Sequence, residues 1–125
     1  MPTAEQIHAT VNAYVGAYCR NDRAAFLAVW AEGGQLEDPV GTPVHVGAEA
    51  LGAFWDTTHE LVDRIELVPD EVFVCADQAA MVFTILARIG EGGMRLRAVD
   101  VFRIDDDGRI AGMRAYWDIA DAEPL

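Results

Sequence analysis

The chain has 125 residues, 52% of them hydrophobic and 24% charged, with a formal net charge of −12. That length suits a single domain, 1–125, and the composition is that of a folded protein with its own core, not a disordered one. So acidic a surface repels nucleic acid phosphates and anionic lipid, whereas a neutral or apolar ligand is compatible with it.

No stretch approaches the roughly 20 apolar residues of a membrane span. The N-terminus, MPTAEQIHATV, lacks a basic segment followed by an apolar one, so no signal peptide is visible and a cytoplasmic location is expected. Cys19 and Cys75 form no CxxC pair and are expected as reduced, buried thiols. His8, His45 and His59 are scattered without an HxxxH spacing, so no metal site is expected. P-loop, GxSxG and GxGxxG motifs are absent, and no cofactor is expected.

In chain order, Thr3 to Gln6 reads as a capping box, and behind it Ile7, Val11, Tyr14, Val15 and Tyr18 recur at helical spacing. Asp22 is a candidate N-cap for a second helix carrying Phe26, Leu27 and Trp30, stopped by Gly33-Gly34. Leu36–Asp38 and Val44–Val46 look like short strands. A third helix, about Ala48 to Asp63, brings Leu51, Phe54, Trp55, Leu61 and Val62. From Arg64 the period changes to two. Strands are predicted over Arg64–Val68, Val72–Cys75, Ala79–Ile89 and Met94–Ile104, with turns at PDE (69–71) and EGG (91–93). DDDG (105–108) is a hairpin turn into a last strand, Arg109–Asp118. Helices first and strands last favour α+β: a curved, mainly antiparallel sheet with helices on one face and a pocket between them.

Three polar residues fall in apolar places. In Met94–Ile104, alternation puts Asp100 on the face of Leu96, Ala98 and Phe102, while Arg95, Arg97, Val99, Val101 and Arg103 take the other. Burial there raises the pKa of a carboxyl, and either a functional acid or a structural acid paired with a distant arginine fits. Tyr14 and Tyr18 share the apolar stripe of the first helix, and periodicity does not choose between them. In QLEDPVGTPVHVG (35–47), if Leu36 faces inward, so does Asp38, and Glu37 faces out. Pro39 restricts Asp38 to extended backbone, so its carboxylate starts from a stiff base; an Asp-Pro turn starter is the ordinary alternative. Trp117 shares a face with Met113 and Ala115, as pocket wall or as core.

Together VNAYVGAY, EDPVGTPVHVG and AVDVFRIDDDGRIAGMRAYW resemble the bacterial ketosteroid isomerase family over nearly the whole chain. The resemblance implies a cone-shaped α+β barrel, a curved sheet wrapped around three N-terminal helices, shared with nuclear transport factor two and SnoaL-like cyclases. It implies a cofactor-free isomerase of a small apolar steroid. Asp38 matches the base that moves a proton from C4 to C6. Tyr14 matches the hydroxyl that donates to the C3 oxygen, and Asp100 the neutral acid donating to the same oxygen. That protonated acid is this family's known chemistry and is not read from the pattern. Trp55, Trp117, Phe83 and Phe54 are the expected substrate contacts. Many relatives carry a tyrosine, bonded to the catalytic hydroxyl, where this chain has Trp55, and an indole N–H donates but cannot accept. The arginine-bearing strand face is expected at a homodimer interface. Other chemistries on the same scaffold are a SnoaL-like cyclase or hydratase, or a non-catalytic steroid- or lipid-binding protein.

Overall fold

A computed structural model describes residues 1–125. The first helix, α1 (Ala4–Cys19), opens on the capping box: Thr3 accepts from the Gln6 amide, and the Gln6 side chain accepts from the Thr3 amide. Its buried stripe runs Ile7, Val11, Tyr14, Ala17 and Tyr18. Asp22 caps the short α2 (Arg23–Ala28), accepting from the Ala25 amide, and its Phe26 is fully buried.

Here the predicted elements need correction. Trp30 is not helical: it begins β1 (Trp30–Glu37), and Gly33-Gly34 lies inside that strand. The pair makes a bulge, with a register shift against the neighbouring strand between Trp30 and Gln35. Gly33 takes φ +70, and a Cβ on Gly34 would stand 2.9 Å from the Trp30 ring. Both glycines are therefore required by a strand that bends closely over an indole.

A short β2 (His45–Val46) pairs back on β1 and leads into α3 (Gly47–Leu61). Beyond it, β3 (Arg64–Cys75) is one strand where two were expected. The PDE segment is no turn: pairing with β4 (Gln78–Ile89) steps from Pro69↔Phe83 to Glu71↔Val82, so one extra residue is absorbed as a bulge. Proline is tolerated because β3 is an edge strand. Then come β5 (Gly92–Ile104) and β6 (Ile110–Tyr116), joined by a turn in which the Asp105 carboxylate accepts from the Asp107 and Arg109 amides. A single 3₁₀ turn (Ile119–Asp121) and a two-residue β7 (Glu123–Pro124) against β5 complete the chain, neither of them foreseen.

The sheet order is β2-β1-β6-β5-β4-β3, antiparallel except that β1 runs parallel to β6. The sheet is curved and does not close into a barrel: β2 and β3 remain free edges. Twenty buried residues from the helices and the inner sheet face form one hydrophobic cluster, Phe26, Leu36, Phe102 and Ile110 among its fully buried members. Each such side chain contributes roughly 1.5–3 kcal/mol relative to exposure. Cys75 is exposed and Cys19 half-buried, both unpaired, which corrects the expectation of two buried thiols. No helix is long and apolar enough to cross a membrane.

Candidate active site

Between the helices and the concave face of the sheet lies a cavity of about 320 Å³, lined mostly by apolar side chains. Its size is at the lower end of the about 300–1,000 Å³ typical of small-molecule pockets. Tyr14, Asp38 and Asp100 all line it, from three different elements.

Asp100 arrives through strict alternation along β5, where Leu96, Ala98, Asp100, Phe102 and Ile104 are buried in turn. Its cross-strand neighbours are Met81 on β4 and Ala115 on β6. Neither can solvate a charge. Burial therefore pushes the Asp100 carboxyl well above the usual carboxylate range, and the nearby Asp38 pushes it further; no cation or donor offsets this. The structural alternative, an arginine partner, is absent: the β5 arginines stand exposed, and Arg95 and Arg97 pair outward with Glu123 and Asp70.

Asp38 follows β1 directly, at a cis peptide to Pro39. Its neighbours hold it firmly. Glu37, opposite Arg114 in the parallel register, accepts from the Arg114 Nε at 3.0 Å and from the Gly41 amide at 2.9 Å. These two donors, the amide first, hold Glu37 below its ordinary pKa. The Val40 amide donates to the Ala115 carbonyl at 2.8 Å. Asp38 itself accepts a 2.6 Å hydrogen bond from the Trp117 indole N–H. Desolvation raises its pKa, while the Trp117 donor and the His45 ring work in the opposite direction. The two aspartates thus differ in kind: one has a donor serving its anion, the other has none.

Tyr14, 2% exposed on α1, packs edge-on against Phe102 at 5.2 Å between ring centroids. Burial first, then Tyr18, Asp100 and Asp38, hold its hydroxyl in the protonated form. It can donate; it is not a base.

Phe54, Phe83 and Trp117 line the cavity, together with Tyr18, Thr58, Leu61 and Met94. Trp55 does not: it is 3% exposed and packs between Tyr18 (4.8 Å) and Phe26 (4.9 Å), stacked on His59 at 4.0 Å. On α3 the cavity side runs Phe54, Thr58, Leu61, at spacings of four and three, and Trp55 falls on the flank turned toward α1 and α2. Sequence reasoning missed the bond from Trp117 to Asp38, which spans 79 positions. The only signal for it was that Trp117 extends the inward face of β6.

A protein-family model for the SnoaL-like domain matches residues 11–113. A steroid Δ-isomerase from Nocardioides simplex is 31% identical over 112 residues, covering 90% of this chain and 89% of that protein. Among solved structures, the epoxide hydrolase/cyclase-like enzyme SalBIII superposes over the full length of both chains with a TM-score of 0.89 at 21% identity. Mycobacterium tuberculosis RV0760c, solved with estradiol-17β-hemisuccinate, covers 94% of this chain and 98% of its own with a TM-score of 0.83 at 26% identity.

Proposed function

The chain belongs to the SnoaL-like ketosteroid isomerase family, and from that premise we propose that it converts 3-oxo-Δ5-steroids into their conjugated Δ4 isomers. The reaction needs a proton moved from C4 to C6 through a dienolate whose charge rests on the C3 oxygen. Asp38 is the base that accepts the C4 proton and returns it to C6. A general base so positioned contributes about 10²–10⁴-fold. Tyr14 and the protonated Asp100 donate to the developing oxyanion. Each such donor in a dry site is worth about 3 kcal/mol. The apolar wall excludes water and holds the steroid so that the base meets C4 and C6 in turn.

The observation that carries this reading is the contrast between two aspartates on one cavity. Asp38 has the Trp117 donor for its anion, and Asp100 lies between Met81 and Ala115 with nothing to serve a charge. A pocket built only to hold a lipid has no use for that division.

The test is the ultraviolet absorbance of the enone formed from 5-androstene-3,17-dione. Turnover is expected, with near-complete loss in Asp38→Asn. A second reading, a steroid-binding protein without catalysis, draws on the relative solved with a steroid conjugate. Tight binding of the dione with no enone formed would select it.

A further inference from the structure

The mechanism leaves two hydroxyls on the cavity without a task, Tyr18 and Thr58. Tyr18 is buried, 5% exposed, and lines the same cavity as Tyr14. Four residues apart on α1, the two phenols occupy one helix face a turn apart, their rings edge-to-face at 5.3 Å. Trp55 on one side of the Tyr18 ring, Phe26 at 5.5 Å and His59 at 6.0 Å restrict its swing.

A buried phenol needs a hydrogen-bond partner. Thr58, the other hydroxyl on the cavity, already donates to the Trp55 carbonyl at 2.9 Å. The chain has three tyrosines, and the third, Tyr116, is 43% exposed. Tyr14 is therefore the one other phenol on the cavity. No hydrogen bond joins their hydroxyls here, but both phenols open on the same cavity with ring centroids 5.3 Å apart.

We propose that Tyr18 is a positioning residue for Tyr14, donating its hydrogen to the Tyr14 oxygen while Tyr14 donates its own to the substrate oxyanion. This rests on the isomerase reading above. A hydroxyl can accept and donate at once, and one that accepts becomes the stronger donor. The relay needs no α3 side chain: of the two α3 rings beside Tyr18, the Trp55 indole cannot accept, and His59 lies stacked on the Tyr18 ring with its Nδ1 against the Trp55 carbonyl. Two phenols on successive turns of one helix hold the oxyanion donor in line and spread the charge that reaches it.

Tyr18→Phe deletes one oxygen and keeps the ring packing. Steady-state turnover of the dione is expected to show kcat about tenfold lower with KM changed less than about twofold, since the lost bond matters only when Tyr14 faces an anion. Para-substituted phenols of graded acidity, bound to the Asp38→Asn protein, supply a readout free of chemistry. Affinity for the most acidic of them should also fall about tenfold in Tyr18→Phe, and this loss should vanish in a Tyr14→Phe background. Unchanged kcat together with unchanged phenol affinity overturns the proposal. So does a loss of phenol affinity that persists in full without Tyr14, because Tyr18 would then act by packing. If the native protein turns over no dione, the isomerase reading fails on its own, and the phenol cycle still decides whether Tyr18 supports Tyr14.

Discussion

Replacing Trp117 by Phe isolates the donor that keeps Asp38 ready as a base. The 2.6 Å indole bond stabilises the carboxylate against desolvation, the larger influence, which raises its pKa. A hydrogen bond to a charged group is worth about 1.5–3 kcal/mol. At about 1.4 kcal/mol per pKa unit, its loss moves the Asp38 pKa up by roughly one to two units. The sign follows from which form is served: the donor favours the anion, so deleting it favours the acid. The base is then populated only at higher pH, and the acid limb of kcat/KM, which reports the free enzyme, moves upward by the same amount. Far above the new pKa the rate should recover to within a few-fold, because the remaining carboxylate is the stronger base. Phe retains most of the wall against substrate, so KM on the plateau should change little. An acid limb that stays in place or moves down refutes the reasoning. A loss equal at every pH makes Trp117 a wall and nothing more.

Asp100→Asn should stabilise the fold near neutrality. The raised pKa means that the folded protein keeps a proton the unfolded chain has shed, so native stability is full below the unfolded pKa and declines as pH rises, by up to about 1.4 kcal/mol per pH unit. Asn carries no such proton, and its Tm advantage should widen from pH 5 to pH 7; a constant difference counts against a protonated Asp100. Gly34→Ala should cost about 1–3 kcal/mol in urea unfolding, because its Cβ would meet the Trp30 ring at 2.9 Å and two backbone oxygens at 3.1 Å. A neutral result would mean that the bulge relaxes freely. The half-buried Val99 and Val101 lie among exposed Arg95, Arg97 and Arg103, and this face is proposed to join two copies. Light scattering should give about twice the chain mass at micromolar concentration, and a monomer rejects the interface.

What could be read from the chain alone depended on how local the cause was. Alternation along β5 put Asp100 on the inner face because a pleated strand leaves no other choice, and the same rule sent Asp38 inward beside Leu36. The capping box of α1 was equally local. Where pairing decided, the residues gave little warning. Gly33-Gly34 and Pro69 carry the chemistry of turns, yet each is a bulge, because a neighbouring strand supplies hydrogen bonds on both sides of the irregularity. The parallel contact of β1 with β6 joins distant segments, and the Glu37–Arg114 pair and the Trp117–Asp38 bond exist only through it. Trp55 is expected at the wall only through the family resemblance; one step along a helix from Phe54 turns a side chain by about 100°, onto the face that α1 and α2 cover.

The kink at Pro69 bears on behaviour in concentrated solution. A sheet that stops without closing exposes a row of backbone groups on which another molecule could add itself like a further rung. At the β3 margin that row is broken, because Pro69 has no amide hydrogen to offer and the surplus residue beside it throws the ribbon out of plane. Straightening this margin, by deleting Asp70 and placing Val at 69, would leave the cavity chemistry alone and invite fibril growth.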